Sequence, residues 1–188
     1  MSGDRRADRV DALVALVDAS EPRCGTTHLV AIDGPSGAGK TTLASDLAAA
    51  LAAPTVHMDD LYPGWAGLWE AVLRLQEWVI VPLQQGQPAR YRRWDWAASE
   101  YAEWVQLPPA EVIIVEGCGA GARPGAAAIS ALAWVEAEES IRRARGVARD
   151  PDYAQFWDQW AAQERRLYAA DRTWERADLI VDTTLERL

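Results

Sequence analysis

Gly34-Pro35-Ser36-Gly37-Ala38-Gly39-Lys40-Thr41 is the stretch of this 188-residue chain that decides its fold. It satisfies the spacing G-x-x-x-x-G-K-[ST] in full, and its flanks are those the spacing needs. Leu29 to Asp33 precedes it, an apolar run containing β-branched residues that reads as a buried strand. Leu43, Leu47 and Leu51 follow at helical spacing with alanines between them, so a helix starts where the glycine-rich turn ends. Strand, turn and helix in that order make a phosphate cradle: the glycines let backbone N–H groups converge on an anion, and the positive end of the helix faces it. Gly34, Ser36, Gly37, Ala38, Gly39, Lys40, Thr41 and Thr42 are the expected nucleotide contacts. Lys40 is expected to reach the β- and γ-phosphates, and the Thr41 hydroxyl to hold Mg²⁺.

Lys40 is the only lysine, the other eighteen basic residues being arginine. Given that lone lysine, the two glycines and the following Ser or Thr coincide by chance in roughly 4 of 10,000 sequences, from glycine usage of about 7%. The rigid fork of arginine does not substitute for a compact ammonium reaching between two phosphates.

At 188 residues the chain is expected to form one domain, large enough for a core without disulfide or metal staples. Cys24 and Cys118 form no paired-ligand spacing, and there is no secretory apolar segment, so a reduced cytoplasmic setting and free thiols are expected. A net charge of −9 argues against nucleic-acid and anionic-membrane partners, which need a basic footprint. The partner expected is a small molecule, its anionic parts met by local arginines.

Along the chain, Val10, Leu13, Val14 and Val17 mark an amphipathic helix over Ala7 to Ala19. Pro54 to Met58 reads as a second strand whose carboxyl end delivers Asp59 and Asp60. A helix is expected from Trp65 to Val79, stopped by Pro82. Arg90-Tyr91-Arg92-Arg93-Trp94-Asp95-Trp96 packs three arginines and three aromatics into seven residues. It reads either as a solvated helix entry with tryptophans tucked inward or as an acceptor pocket that stacks a planar group. Glu111 to Gly117 is the near-continuous apolar run of a doubly buried parallel strand, ended by Glu116 where a metal-binding acid belongs. Glutamate in place of aspartate there favours contact with Mg²⁺ through water. Ala131 to Val135 reads as a fourth strand. Arg142, Arg145 and Arg149 then share one helix face, read as a phosphate-clamping lid over about residues 140–152. A long helix is expected from Pro151 to about Trp174, with Glu164 on its apolar face, paired either with a lid arginine or with a bound acceptor. Ala177 to Asp182 closes the chain as a fifth strand. The expectation is a three-layer αβα sandwich of the P-loop NTPase class, with a five-stranded parallel sheet, a helical lid and ligands at the strands' carboxyl ends.

The order of these features resembles the uridine kinase and phosphoribulokinase branch of the P-loop kinases, over most of residues 28 to 182. The phosphate loop, Asp59 and Tyr62 in Met58-Asp59-Asp60-Leu61-Tyr62, the strand end Val115-Glu116-Gly117, and Arg142, Arg145 and Arg149 before Asp150 carry the resemblance. It implies that Asp59 is the base that takes the acceptor's hydroxyl proton, that the arginine segment is the lid, and that Tyr91 lines a nucleoside pocket. Tyr62, Arg93, Arg142 and Glu164 join Asp59 and Tyr91 as expected substrate contacts, and Lys40, Arg145 and Arg149 join Asp59 as expected catalytic groups. The chain departs from the family in a shorter segment after Tyr91, in Asp60 where serine is usual, and in a tryptophan-rich C-terminal helix. Asp60 is thus a rival for the base.

An ATP- and Mg²⁺-dependent kinase of a metabolite hydroxyl is the leading expectation, with a nucleoside as acceptor. A nucleoside-monophosphate kinase would use Arg90, Arg92 and Arg93 for a second phosphate and would need no base. A nucleotide-binding protein without catalysis is the third reading. A GTPase-like switch is excluded, because its guanine-reading segment requires a second lysine.

Overall fold

A computed structural model describes residues 2–186. Helix α1 (Ser2–Ala19) leads to strand β1 (His28–Asp33), the phosphate loop and α2 (Lys40–Leu51). Strand β2 (Thr55–His57) runs into a single 3₁₀ turn, Met58–Asp60, and then α3 (Leu68–Leu75), a π turn (Gln76–Ile80) and α4 (Val81–Gln84). Strands β3 (Arg90–Asp95) and β4 (Glu100–Gln106) form a separate hairpin. The chain ends with β5 (Val112–Glu116), β6 (Ile129–Glu136), α5 (Glu139–Arg149), α6 (Trp157–Asp171) and β7 (Leu179–Asp182).

Five of the strands make one parallel sheet in the order β2-β5-β1-β6-β7. Period-two alternation in β1 divides the core: Val30 and Ile32 face α1 and α2 with Leu13, Leu43 and Leu47, while Leu29 and Ala31 face the side that holds Leu68, Val72 and Leu167. Both faces are covered, which is why these strands carry apolar residues at successive positions. The chain crosses from one side of β1 to the other between β5 and β6, so the carboxyl end of β1 stands at the switch point where such sheets bind ligands. Among the described residues, no helix is long and apolar enough to cross a membrane.

Three local expectations need correction. Residues 90–96 enter a strand, not a helix: β3 pairs antiparallel with β4, Trp94 opposite Tyr101 at 5.0 Å between ring centroids. The turn is closed by Asp95, whose carboxylate accepts the Ala97 and Ala98 N–H groups at 3.0 Å each. Pro82 does not stop the preceding helix. The wider π turn of 76–80 gives room ahead of the proline ring, and helix continues to Gln84. The long helix expected from Pro151 is broken into a 3₁₀ turn and a shorter α-helix. A 3₁₀ turn (Pro151–Gln155) is capped by the Asp150 carboxylate on the Asp152 N–H, α6 follows, and Arg172 ends it in the left-handed region at φ 54°.

Candidate active site

The phosphate loop is built by close approach. Gly34, Gly37 and Gly39 have φ of 140°, 76° and 100°. A Cβ at Gly34 would lie 2.0 Å from the Val135 carbonyl oxygen, and one at Gly37 would lie 2.3 Å from that of Arg142, so the loop is pressed against β6 and α5. Asp33, fully buried beneath it, accepts the N–H groups of Gly34, Gly119 and Gly121 at 2.6, 2.8 and 2.9 Å and the Tyr168 hydroxyl at 2.8 Å. Burial pushes its carboxyl up, against the pull of those four donors. One side chain thus ties the phosphate loop to the loop after β5. Lys40 opens α2 and is 7% exposed, its Nζ donating to the Pro35 carbonyl at 2.9 Å and to Cys118 Sγ at 3.6 Å. Burial opposes its charge, but Cys118, Glu116, Glu164 and Asp33 around it outweigh that, and the ammonium titrates above the ordinary lysine value.

A cavity of about 1190 Å³ opens from this loop along the carboxyl ends of the sheet. It exceeds the roughly 300–1,000 Å³ of a single small-molecule site and has room for two reactants. Near the loop, the Thr41 hydroxyl lies 3.3 Å from both oxygens of Glu116, and Glu116 Oε1 meets His57 Nδ1 at 2.7 Å. That hydrogen bond, with burial opposing it, raises the His57 pKa. The sheet register sets His57 directly across from Glu116. Asp59 stands farther along, open to solvent through the cavity mouth yet walled by protein. Burial and the Glu116 charge push its carboxyl up, and Arg149, Lys40 and His57 pull it back.

The hairpin grips the turn that carries Asp59 at three successive residues. Trp96 Nε1 donates to the Asp59 carbonyl at 3.1 Å, the Tyr91 hydroxyl to Asp60 Oδ2 at 3.4 Å, and the Tyr101 hydroxyl to the Leu61 carbonyl at 3.0 Å. Beyond Asp59 the wall is aromatic. Trp65 stacks on Phe156 and Tyr153 at 4.7 and 5.2 Å and meets Trp96 at 4.8 Å, while Tyr62 packs edge-on against Trp160 at 4.7 Å.

Of the residues singled out in the sequence, Ser36, Gly37, Gly39, Lys40, Thr41, Thr42, Asp59, Tyr62, Glu116, Arg145 and Arg149 line this one cavity. Gly34 and Ala38, also in the loop, are buried and do not line the cavity, and the Ala38 carbonyl is held by the Thr183 hydroxyl at 2.7 Å. Others are placed differently from expectation. Arg145 turns its guanidinium to Thr183 Oγ1, the Thr183 carbonyl and the Glu186 carbonyl, at 2.9, 2.7 and 2.7 Å, tethering the C-terminal turn. Glu164 meets a lid-segment arginine, one of its two expected partners, with Arg142 Nη1 3.8 Å from Oε2; Arg142 also donates to the Ser36 and Ala137 carbonyls and Glu164 accepts the Ser36 N–H, so both hold the loop backbone and neither lines the cavity. Tyr91 is buried under Asp60 and does not line the cavity. Arg93 points outward to Glu103. Sequence reasoning missed Asp33, His57, Cys118 and the aromatic wall. His57 had a signal, standing two residues before Asp59 at a strand end; the others depend on contacts far apart in the chain.

The donor set near the loop suits Mg²⁺: a hydroxyl and a carboxylate converge, and among the described residues no cluster of His, Cys, Asp and Glu could hold a metal unaided. An ion that keeps its waters and leans on phosphate oxygens needs no more.

No family model matches the chain, and no curated protein matches it in sequence. Solved structures do match. A possible uridine kinase from Bacillus stearothermophilus is 20% identical with a TM-score of 0.66, covering 94% of this chain and 98% of that one. A candidate fructose transport system kinase from Silicibacter sp. TM1040 is 23% identical with a TM-score of 0.59 and the same two coverages, 94% and 98%. A gluconokinase from Sinorhizobium meliloti is 14% identical with a TM-score of 0.50, covering 87% and 86%. At these identities the likeness is one of fold: the chain has the αβα fold of the P-loop kinases, uridine kinase-like ones among them.

Proposed function

We propose that the protein is a cytoplasmic ATP- and Mg²⁺-dependent kinase that transfers the γ-phosphoryl group to a hydroxyl of a small metabolite, a nucleoside first among the candidates. One observation carries the reading: a single cavity is lined both by the phosphate cradle and by Asp59, whose carboxylate, among the described residues, accepts no hydrogen bond from the protein. An acceptor hydroxyl must lose a proton, and the Asp59 carboxylate is the group we assign to take it.

In the mechanism proposed, the loop N–H groups and Lys40 hold the triphosphate, with Lys40 following charge onto the transferring group. Thr41 and, through water, Glu116 hold Mg²⁺, which when bound neutralises phosphate charge. The acceptor oxygen, its proton passing to Asp59, bonds to the γ-phosphorus as the bond from that phosphorus to the β,γ-bridging oxygen breaks, leaving ADP. Arg149, on the lid helix α5, lines the same space and meets the outer phosphate charge. The stacked rings around Trp65 give a planar, apolar-faced acceptor a surface to lie along.

We prefer a hydroxyl acceptor to a monophosphate because the arginines that the second reading would use make contacts within the hairpin. Arg90 lies over the Trp104 ring, Arg92 donates to the Ala102 and Tyr101 carbonyls, and Arg93 pairs with Glu103. The test is a thermal-shift screen of nucleosides, sugars and nucleotides with a non-hydrolysable ATP analogue and Mg²⁺, followed by turnover assays on the hits. A ligand at a hundred times its Kd adds ~2.7 kcal/mol of stability. Phosphate transfer to an alcohol supports the reading; stabilisation by nucleotide without any turnover would make the protein a non-catalytic binder.

A further inference from the structure

Glu164 is 4% exposed and sits on α6, the helix that also supplies Trp160 to the acceptor wall. Its Oε1 takes three donors from three parts of the molecule: the Ser36 N–H at 2.7 Å, the Trp160 indole N–H at 2.9 Å and the Cys118 S–H at 3.2 Å. Arg142 Nη1 lies 3.8 Å from Oε2 and donates to the Ser36 carbonyl at 3.1 Å. Both backbone polar atoms of Ser36 are therefore held, one by a carboxylate from α6 and the other by a guanidinium from α5. Lys40 reaches the same junction through Cys118 Sγ. A continuous line of contacts runs from the phosphate-loop lysine to a tryptophan in the acceptor wall.

A buried carboxylate against an anion-binding loop is electrostatically costly there, since it stands beside groups that take a triphosphate. Three donors and a neighbouring guanidinium keep its field small. Because one oxygen serves all three donors, a displacement at the loop is passed to the Trp160 indole through Glu164 alone.

We propose that Glu164 is a positioning residue that couples the acceptor end of the cavity to the phosphate loop, so that nucleotide and acceptor bind with a mutual free-energy coupling. The proposal rests on the kinase reading. Triphosphate on the loop repels the Glu164 carboxylate and pulls on the indole it holds. An acceptor packed on Trp160 steadies that indole, and by linkage the two ligands change each other's affinity by one factor.

A double-mutant cycle tests this without knowing the acceptor. Trp160→Phe removes the indole N–H and keeps a ring in place; Glu164→Gln removes the charge. Calorimetric titration of a non-hydrolysable ATP analogue with Mg²⁺ is expected to show Kd raised about threefold or more by Trp160→Phe alone, because the carboxylate loses a neutralising donor beside the loop. On the Glu164→Gln background the same change is expected to have no effect, and Glu164→Gln itself should tighten analogue binding. A Trp160→Phe effect that is absent, or equal on both backgrounds, would reduce Glu164 to a structural anchor and overturn the coupling while leaving the kinase reading intact. Wild-type protein that binds no analogue would sink both. Should a variant fail to fold, the Trp160 indole N–H resonance of the wild-type protein decides: a shift on adding the analogue is expected, and an unmoved resonance overturns the proposal.

Discussion

In the proposed mechanism Lys40 and Asp59 act on phosphate and acceptor, and each makes a distinct demand on a single substitution. Lys40→Ala removes the only charge embedded in the loop, and turnover should fall by about 10²- to 10³-fold or more with weakened nucleotide binding. Lys40→Arg should not restore it, since the pocket formed by the Pro35 carbonyl, Cys118 and the loop fits a compact ammonium. Wild-type-like transfer by the alanine variant would move the phosphate site elsewhere. Asp59→Asn keeps shape and removes basicity, for which a loss of ~10²- to 10⁴-fold in rate is expected, about 3 to 5 kcal/mol of barrier, with nucleotide affinity little changed. Burial and Glu116 hold the Asp59 carboxyl above its ordinary value, so its ionised form costs the folded state stability at neutral pH. The asparagine variant is therefore expected to melt higher than wild type near pH 7 while working more slowly. A variant that melts lower and keeps its rate per folded molecule would make Asp59 a structural cap, and Asp60→Asn, measured in parallel, decides between the two aspartates.

At the scale of elements, the hairpin and the lid helix hold what the sheet cannot. Trp96→Phe deletes the indole N–H that grips the Asp59 carbonyl, and one such hydrogen bond is worth about 0.5–1.5 kcal/mol. A severalfold fall in kcat with unchanged ATP affinity is expected from steady-state kinetics; an unchanged kcat would leave the hairpin no part in aiming the base. On α5, Arg145 and Arg149 should separate. Both line the cavity, but the Arg149 guanidinium has no hydrogen-bond partner among the described residues, so Arg149→Ala is expected to lower kcat more than it raises KM for ATP, whereas Arg145→Ala is expected to lower melting temperature by loosening the turn at Thr183. Equal kinetic defects in both would contradict that division. The phosphate loop was readable because its spacing encodes a local backbone shape. The arginines were readable as a helix face, but not their targets, which are set by where residue 183 and Ser36 arrive in space. The hairpin hid for a related reason: Arg90 to Trp96 has no clean alternation, and only pairing with β4 tells a strand from a helix entry.

For the whole molecule, the sheet order was not legible, because strand neighbours are chosen by crossovers, and with it went the facing of His57 to Glu116. That pair gives a pH signature. The hydrogen bond to Glu116 raises His57 above 6.5, so its contribution to stability is fully present below pH 6.5 and is lost as pH rises through the higher folded value. Melting curves should show wild type losing stability relative to His57→Gln across that window; parallel curves would mean the imidazole is neutral throughout. Transfer rate, in contrast, should fall as pH drops through the raised Asp59 value. The excursion between His57 and Val112 leaves the sheet on β2 and re-enters it on the adjacent strand β5, carrying Asp59, Asp60, Tyr62, Trp65 and Trp96 with it. Strands β2 and β5 are neighbours in register, but because they run parallel the stretch starts at the carboxyl end of β2 and returns at the amino end of β5, spanning the height of the sheet. On the kinase reading, this stretch carries the acceptor side of the cavity and none of the phosphate loop, and a chimera carrying a foreign 58–111 segment is expected to keep its nucleotide affinity as it takes on a new acceptor.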